Sequence, residues 1–162
     1  MVQTMSIELS AKDVAILRLL QQDASLTSTA IAERLNLSQS PCWRRINNIE
    51  QQGMITRRVA VLDREKLGME AVVFATVNLS AHGREQLEQF EREIVKFAEV
   101  VECYTMTGAW DYMLKIITRD VRHYEQFIRE HLLTMPLIRE MHSHIAVTEI
   151  KNTTELPLDT QL

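Results

Sequence analysis

The sequence predicts an α+β protein of two domains, and three observations carry that prediction. Up to Gly53 apolar residues recur at three-and-four spacing, as on helices; from Ala71 onward, runs rich in β-branched residues alternate with two further helical stripes. Charge divides along the same line. Residues 1–68 hold nine Lys/Arg against seven Asp/Glu, a net of +2, and the remainder holds nine against fifteen, a net of −6, which together make the −4 of the whole chain. The four glycines and three prolines (Gly53, Gly68, Gly83, Gly108, Pro41, Pro136, Pro157) fall where the periodicity changes. A length of 162 residues suits one ordinary domain or two small ones and excludes a large multi-domain enzyme. The expected division is residues 1–62, a linker over 63–70, and residues 71–162.

In the first domain, Ser10 through Asp13 form a helix start: the Ser10 hydroxyl can accept a first-turn N–H, and Asp13 complements the positive helix end. Ile16, Leu17 and Leu20 carry that helix to about Gln22. A second helix begins after Thr27, buries Ile31, Ala32 and Leu35, and stops at Asn36 to Ser38. Ser38 is read as the cap of a third, in which Pro41 is tolerated because first-turn N–H groups lack intrahelical partners. Cys42, Ile46 and Ile49 point inward, and Gly53 supplies a left-handed stop. A short helix, a tight turn and a longer helix make a helix-turn-helix. Residues 54–62, with β-branched residues around Arg57 and Arg58, are expected as a small wing beside it.

The polar face of the third helix, Ser38 to Gln52, carries the chemistry. Gln39, Ser40, Arg44, Arg45, Asn47 and Asn48 fall on its outer side. Arginine can pair with guanine edges, Asn and Gln with adenine, and serine with bases or phosphates. The bland alternative is a solvated helix surface, against which stand the helix order, the turn length and the basic wing. Arg44, Arg45 and Asn48 are the candidate base readers, and Arg57 and Arg58 the candidate phosphate clamps. Trp43 suits the edge of the core or a partner chain better than stacking on a base. Cys42 reads as small core filler. The acidic pI near 5.7 does not exclude nucleic acid, since the acidity lies in the other half.

In the second domain, Ala71 to Leu79 reads as a strand ended by His82-Gly83, followed by a helix with Leu87, Phe90, Ile94 and Phe97 in one stripe. Val100 to Thr107 and Tyr112 to Thr118 are strands joined through Gly108 to Asp111. Val121, Tyr124, Phe127, Ile128 and Leu132 make a second helix that Pro136 ends, and Ile138 to Ile150 is the last strand. Strand, helix, strand, strand, helix, strand is the split βαβ, ferredoxin-like arrangement. One sheet face takes the helices; the other, with alternating apolar residues, favours pairing with a second copy.

These residues resemble the Lrp/AsnC, or feast/famine, family of transcription regulators over essentially the whole chain. The resemblance rests on Leu9-Ser10 through Asp13 with Ile16-Leu17, Leu37-Ser38 followed by Pro41-Cys42 and Arg45, Ile49-Glu50 to Gly53-Met54-Ile55, and Gly108 with Asp111-Tyr112. It implies a winged helix-turn-helix that binds double-stranded operator DNA. It also implies a ferredoxin-like (RAM) domain that assembles homodimers, often further into octamers, and binds an amino-acid effector. Pro41 to Arg45 and the tail Lys151 to Pro157 resemble the branch that includes regulators of cysteine detoxification. By the same resemblance the effector site falls on Met106, Thr107, Gly108, Asp111 and Tyr112, with Val121, His144 and Ile145 flanking. Gly108 lets backbone amides approach a carboxylate, and Asp111 suits an α-ammonium; Asp111 equally suits a turn carboxylate capping its own hairpin. Ala109-Trp110 lie between the glycine and the aspartate, where the indole either narrows a pocket or covers a dimer contact.

Two rival functions stand beside this one. The first is a stand-alone amino-acid-binding or assembly module whose N-terminal helices serve protein contacts. The second is a metal-responsive repressor using Cys103, His142 and His144, although two histidines and a thiol without a ligand motif are more often packing and surface residues. No metal site or cofactor beyond the effector is expected. Neither is catalysis, since the chain shows no nucleophile motif, phosphate-binding Gly-rich loop or paired-acid motif. The longest apolar run, Ala71 to Ala75, is far too short for a membrane span, and Met1 to Met5 has no basic segment or apolar core of a signal peptide. Two cysteines make no disulfide framework. A cytoplasmic location is expected.

Overall fold

The computed structural model describes residues 9–81 and 83–158; Met1 to Met5, read for a signal peptide, and His82, read as part of a strand break, lie outside them. The chain divides into two compact units, and the described part of the first combines residues 9–61 with residues 151–158. Its helices are α1 (Ala11–Gln22), α2 (Ser28–Arg34) and α3 (Gln39–Gln51). A capping box opens α1: Ser10 Oγ accepts from the Asp13 N–H while Asp13 accepts from the Ser10 N–H at 3.0 Å. Thr27 Oγ1 caps α2 by accepting from Ala30 N at 3.2 Å. Ser38 stands at the N-cap of α3 with an extended backbone, but its hydroxyl makes no capping bond, contrary to the expectation. Gly53 ends α3 at φ +70°, with Met54 N donating to Ile49 O across the turn. Ile16, Leu20, Ile31, Ala32, Cys42, Ile46 and Ile49 form the core of this unit, with Met54 and Ile55 packed against it.

Two further features of the first unit differ from expectation. Residues 54–62 form no strand, because no neighbouring strand offers a ladder; beyond Ile55 they are exposed, Val61 at 81%. The tail, expected with the C-terminal domain, sits with the helices instead. Gln21 explains why: its Nε2 donates to Leu156 O at 3.1 Å and its Oε1 accepts from Leu156 N at 3.0 Å. Arg18 Nε adds a bond to Leu158 O at 3.0 Å.

The second unit, Leu62–Ile150, opens with a turn over the expected linker and then holds β1 (Ala71–Leu79), α4 (Arg84–Ile94), β2 (Val100–Thr105), β3 (Tyr112–Thr118), α5 (Val121–Phe127) and β4 (Ile138–Ile145). A π-helical turn, Ile128–Leu132, continues α5. The strands make one antiparallel sheet in the order β2-β3-β1-β4, as the split βαβ pattern requires. β4 stops at Ile145 rather than Ile150: Val73 pairs with Ile145 and Ala146 N reaches Val72 O, and in this register β1, which begins at Ala71, offers partners no further than residue 147, so a strand to Ile150 would have no ladder. Alternate residues of β1 and β3 (Val73, Ala75, Val77, Leu79; Tyr112, Leu114, Ile116) pack beneath Phe90, Ile94, Tyr124 and Phe127. Val72, Phe74, Thr76 and Asn78 point to the opposite face, which bears no helix. Among the described residues no helix is long and apolar enough to cross a membrane.

Candidate nucleic-acid interface and effector region

Helix α3 buries Cys42, Ile46 and Ile49 and leaves Gln39, Ser40, Arg44 and Asn48 exposed. Arg44 makes no hydrogen bond or ion pair among the described residues. It borders an open notch with Asp13, Pro41, Arg45 and Asn48, and a second notch with Ser28, Gln39, Ser40 and Trp43. Gln39 is braced by α2, its Nε2 donating to Thr29 Oγ1 at 2.8 Å, and Asn48 Oδ1 accepts from Gln52 at 3.3 Å.

The basic residues divide into free and held. Arg45 Nη1 donates to Asp13 Oδ1 at 2.9 Å and to Ser10 Oγ at 3.1 Å, tying α3 to the capping box of α1. Arg58 donates to Glu50 Oε1 at 2.8 Å and to Ala24 O at 2.9 Å, tying the chain after α3 back to that helix and to the turn between α1 and α2. Arg57 is exposed and makes no hydrogen bond or ion pair among the described residues. Trp43 stands outside the core cluster with 54% of its surface exposed. Of the two places expected from the sequence, the core edge or a partner chain, the core edge is therefore corrected.

The proposed effector residues fall into two groups that one chain does not bring together. Met106, Thr107 and Gly108 are exposed in the β2–β3 hairpin, with Gly108 at φ +107°. Asp111 fixes that hairpin. Its Oδ2 accepts from Leu79 N at 2.8 Å, its N–H contacts Asn78 Oδ1 at 3.0 Å, and its carbonyl accepts from Met106 N at 2.8 Å. Tyr112 is only 1% exposed; its hydroxyl donates to Glu91 Oε1 at 2.9 Å on the helix side of the sheet. Burial and the Glu91 carboxylate both push its phenol upward, so it stays protonated as a core donor. Val121, His144 and Ile145 are exposed at the far end of the sheet, beyond Thr118 and opposite Val73 and Phe74. The length of β3, about 20 Å at ~3.4 Å per residue, separates the groups. A cleft of about 400 Å³ does exist in this unit, lined by Glu99, Ile117, Arg119, Phe127 and His131 among others, and none of the proposed residues borders it.

The metal rival loses its ligand set. Cys103 pairs with Leu114 on the helix side, while His142 and His144 pair with Thr76 and Phe74 on the open side, so the sheet separates thiol from imidazoles. Burial pushes the Cys103 thiol up, away from the thiolate a metal needs. His142 instead packs against Trp110 at a tilt of 57° with ring centres 4.7 Å apart, bringing the hairpin against the open face. Asn78 completes that arrangement: Nδ2 donates to Ala109 O at 3.0 Å. Sequence reasoning passed over Asn78, whose signal was one amide in an otherwise apolar strand.

Two family models cover the chain: winged helix-turn-helix DNA-binding over residues 9–56, and Lrp/AsnC ligand binding domain over residues 72–156. The chain is 39% identical to the transcriptional regulator AzlB of Bacillus subtilis over 155 residues, 96% of this chain and 99% of that protein. It is 33% identical to the DNA-binding transcriptional activator DecR of Escherichia coli, over 91% of this chain and 97% of that protein. Among solved structures, an AsnC family transcriptional regulator from Agrobacterium tumefaciens superposes with a TM-score of 0.90 at 40% identity, covering 95% of this chain and all of that one. A transcriptional regulator from Neisseria meningitidis in complex with L-Met gives 0.91 at 32% identity, covering 96% and 100%. A helix-turn-helix with an exposed polar third helix, a split βαβ sheet and these matches along both units lead to one conclusion: the chain belongs to the Lrp/AsnC family of transcription regulators.

Proposed function

We propose that this regulator reads a roughly palindromic operator as a homodimer and responds to a small amino acid through its second domain. The observation that carries the DNA half is the exposed face of α3, where Ser40, Arg44 and Asn48 stand clear of the core and Arg44 has no internal partner among the described residues. These three, with Gln39 braced beside them, are the base readers; Arg57 clamps phosphate. Arg45 and Arg58, engaged within the unit, position the reading helix and the segment after it. Two α3 helices of a dimer would enter successive major grooves ~34–36 Å apart.

The open sheet face supports dimerisation. Thr76 Oγ1 is buried there without a hydrogen-bond partner among the described residues, and Phe74 remains 38% exposed at the middle of the face. A second copy would cover the ring and offer the hydroxyl a partner. Assembly of dimers up to an octamer brings the hairpin of one subunit toward the Val121, His144 and Ile145 end of another, reuniting the two groups that a single chain keeps apart. Met106, Thr107 and the Gly108 backbone would then take the effector, with Asp111 holding the hairpin in shape and Tyr112 remaining in the core. The Neisseria relative's complex with L-Met and the ligand-binding family model support an amino acid as the effector class. The ligand acts by favouring one arrangement of dimers.

Thermal unfolding of the full chain with each amino acid in turn tests the sensing half. A cognate ligand at 100 times its Kd adds about 2.7 kcal/mol. One amino acid, or a small chemically related set, should raise the midpoint, and a flat series across all of them contradicts the reading.

A further inference from the structure

The notch beside Trp43 adjoins the base-reading residues, and its Trp43 and Ser28 side has no part in that reading. It measures about 480 Å³ and is lined by Ser28 of α2 and by Gln39, Ser40, Trp43 and Arg44 of α3. Every lining side chain carries a hydrogen-bond donor, and none is acidic. Gln39 spends its amide on Thr29, while Ser28, Ser40, Arg44 and the Trp43 indole make no side-chain hydrogen bond among the described residues. The indole is 54% exposed, outside the core and beside a guanidinium with no partner among the described residues, so its face and its N–H are both available to a ligand.

The position of Trp43 on the helix says what it meets. Successive residues turn by about 100°, so with Cys42 facing the core, Arg44 and Ser40 point nearly straight out and Trp43 stands to one side, toward α2. A helix lying in a major groove turns its outermost line to the base edges and its flanks to the two sugar-phosphate walls. We propose that Trp43, with Ser28, forms a seat for one wall of the operator: the indole face covers a deoxyribose and its Nε1–H donates to a phosphodiester oxygen. Trp43 is thus a positioning residue that sets how deep and in what register α3 lies, while Arg44 reads. This rests on the DNA-binding reading above and adds a subsite to it, of phosphodiester chemistry and indifferent to sequence.

Three proteins decide it: the full-length wild type, Trp43→Ala and Trp43→Phe, each titrated with an operator duplex and with an unrelated duplex at one salt concentration. Loss of a hydrogen bond to a charged oxygen, with its apolar contact, corresponds to about a tenfold loss of affinity or more. Trp43→Ala is expected to weaken both duplexes by the same factor and leave their ratio unchanged. Trp43→Phe, which keeps a ring and removes the donor, is expected between the two. Operator binding should also change the wild type's tryptophan emission, and Trp43→Phe should abolish that change. Because the indole packs in no core, both variants are expected to unfold at the wild-type midpoint; if alanine lowers it, the phenylalanine variant and its emission carry the test. Unchanged affinity overturns the seat, as does relaxed preference at a single base pair, or a change in assembly state with DNA affinity intact. A wild type that shifts no duplex overturns the regulator reading itself.

Discussion

Replacing Arg45 separates a helix that is held from a helix that reads. Its guanidinium spans from α3 to the start of α1, with one bond to the Asp13 carboxylate and one to the Ser10 hydroxyl. A bond to a charged group is worth ~1.5–3 kcal/mol when well buried. Here the Arg45 side chain is 38% exposed and that of Asp13 is 15% exposed, so screening brings the expected loss down to about 1 kcal/mol. Arg45→Ala should therefore destabilise the N-terminal unit by about that amount and weaken binding to every duplex by one common factor. Arg44→Ala breaks no bond among the described residues; its stability should stay within ~0.5 kcal/mol of wild type, while discrimination at one base pair falls by ~1–3 kcal/mol. Urea unfolding, with titrations against operators varied one position at a time, measures both. An Arg45→Ala protein of wild-type stability whose preference relaxes at one position would refute the division of roles. Acid supplies an independent check. Burial raises the Asp13 pKa, but the bonds from Ser10 and Arg45 outweigh it and hold the carboxyl below its ordinary value. As pH falls the unfolded chain then binds the proton first, so this contribution is complete above the unfolded value of about 3.9 and is lost through the depressed folded one. Asp13→Asn should be less stable than wild type at neutral pH, and the gap should close in strong acid.

Three further outcomes follow from the same structure. Arg57→Ala should weaken all DNA binding and lower the slope of log affinity against log salt by about one; an unchanged slope would show that Arg57 touches no phosphate. Asn78→Ala removes the two side-chain bonds that Asn78 makes to the hairpin, and should cost ~1–3 kcal/mol by urea unfolding and reduce amino-acid-dependent stabilisation; intact stabilisation would place the effector away from the hairpin. Gln21→Ala cuts the reciprocal pair with Leu156 and should cost about 1 kcal/mol, and in a chain ending at Ile150 the same substitution should cost almost nothing. Equal costs in the two backgrounds would mean the tail does not brace α1.

What the sequence made legible was local. Ser10 and Asp13 stand three apart and announce a capping box, Gly53 announces a left-handed stop, and the alternation of Leu114 and Ile116 announces which strand face is covered. That same alternation puts Tyr112 in phase with the core, so its burial was readable; the family resemblance placed it in the effector site instead. Bonds between distant elements were not readable. Asp13 and Arg45 are 32 residues apart, and only the packing of α3 on α1 brings them together. Before packing, Arg44 and Arg45 look alike, as do Arg57 and Arg58; tertiary contacts leave one of each pair free and hold the other. The separation of the candidate effector residues likewise follows from strand register: pairing Val73 with Ile145 and Val77 with Tyr112 puts His144 and the hairpin at opposite ends of β1. The tail gave no periodic signal, and its attachment depends on one glutamine amide meeting one backbone peptide.

Selection of duplexes from a random-sequence library by the full-length protein tests the central claim most directly. The account predicts enrichment of a palindromic pair of half-sites, centred about one helical turn or a multiple of it apart, bound ~10³-fold or more above unselected DNA and weakened steeply by salt. A library that emerges without a shared half-site, or one whose binding ignores salt, would contradict it.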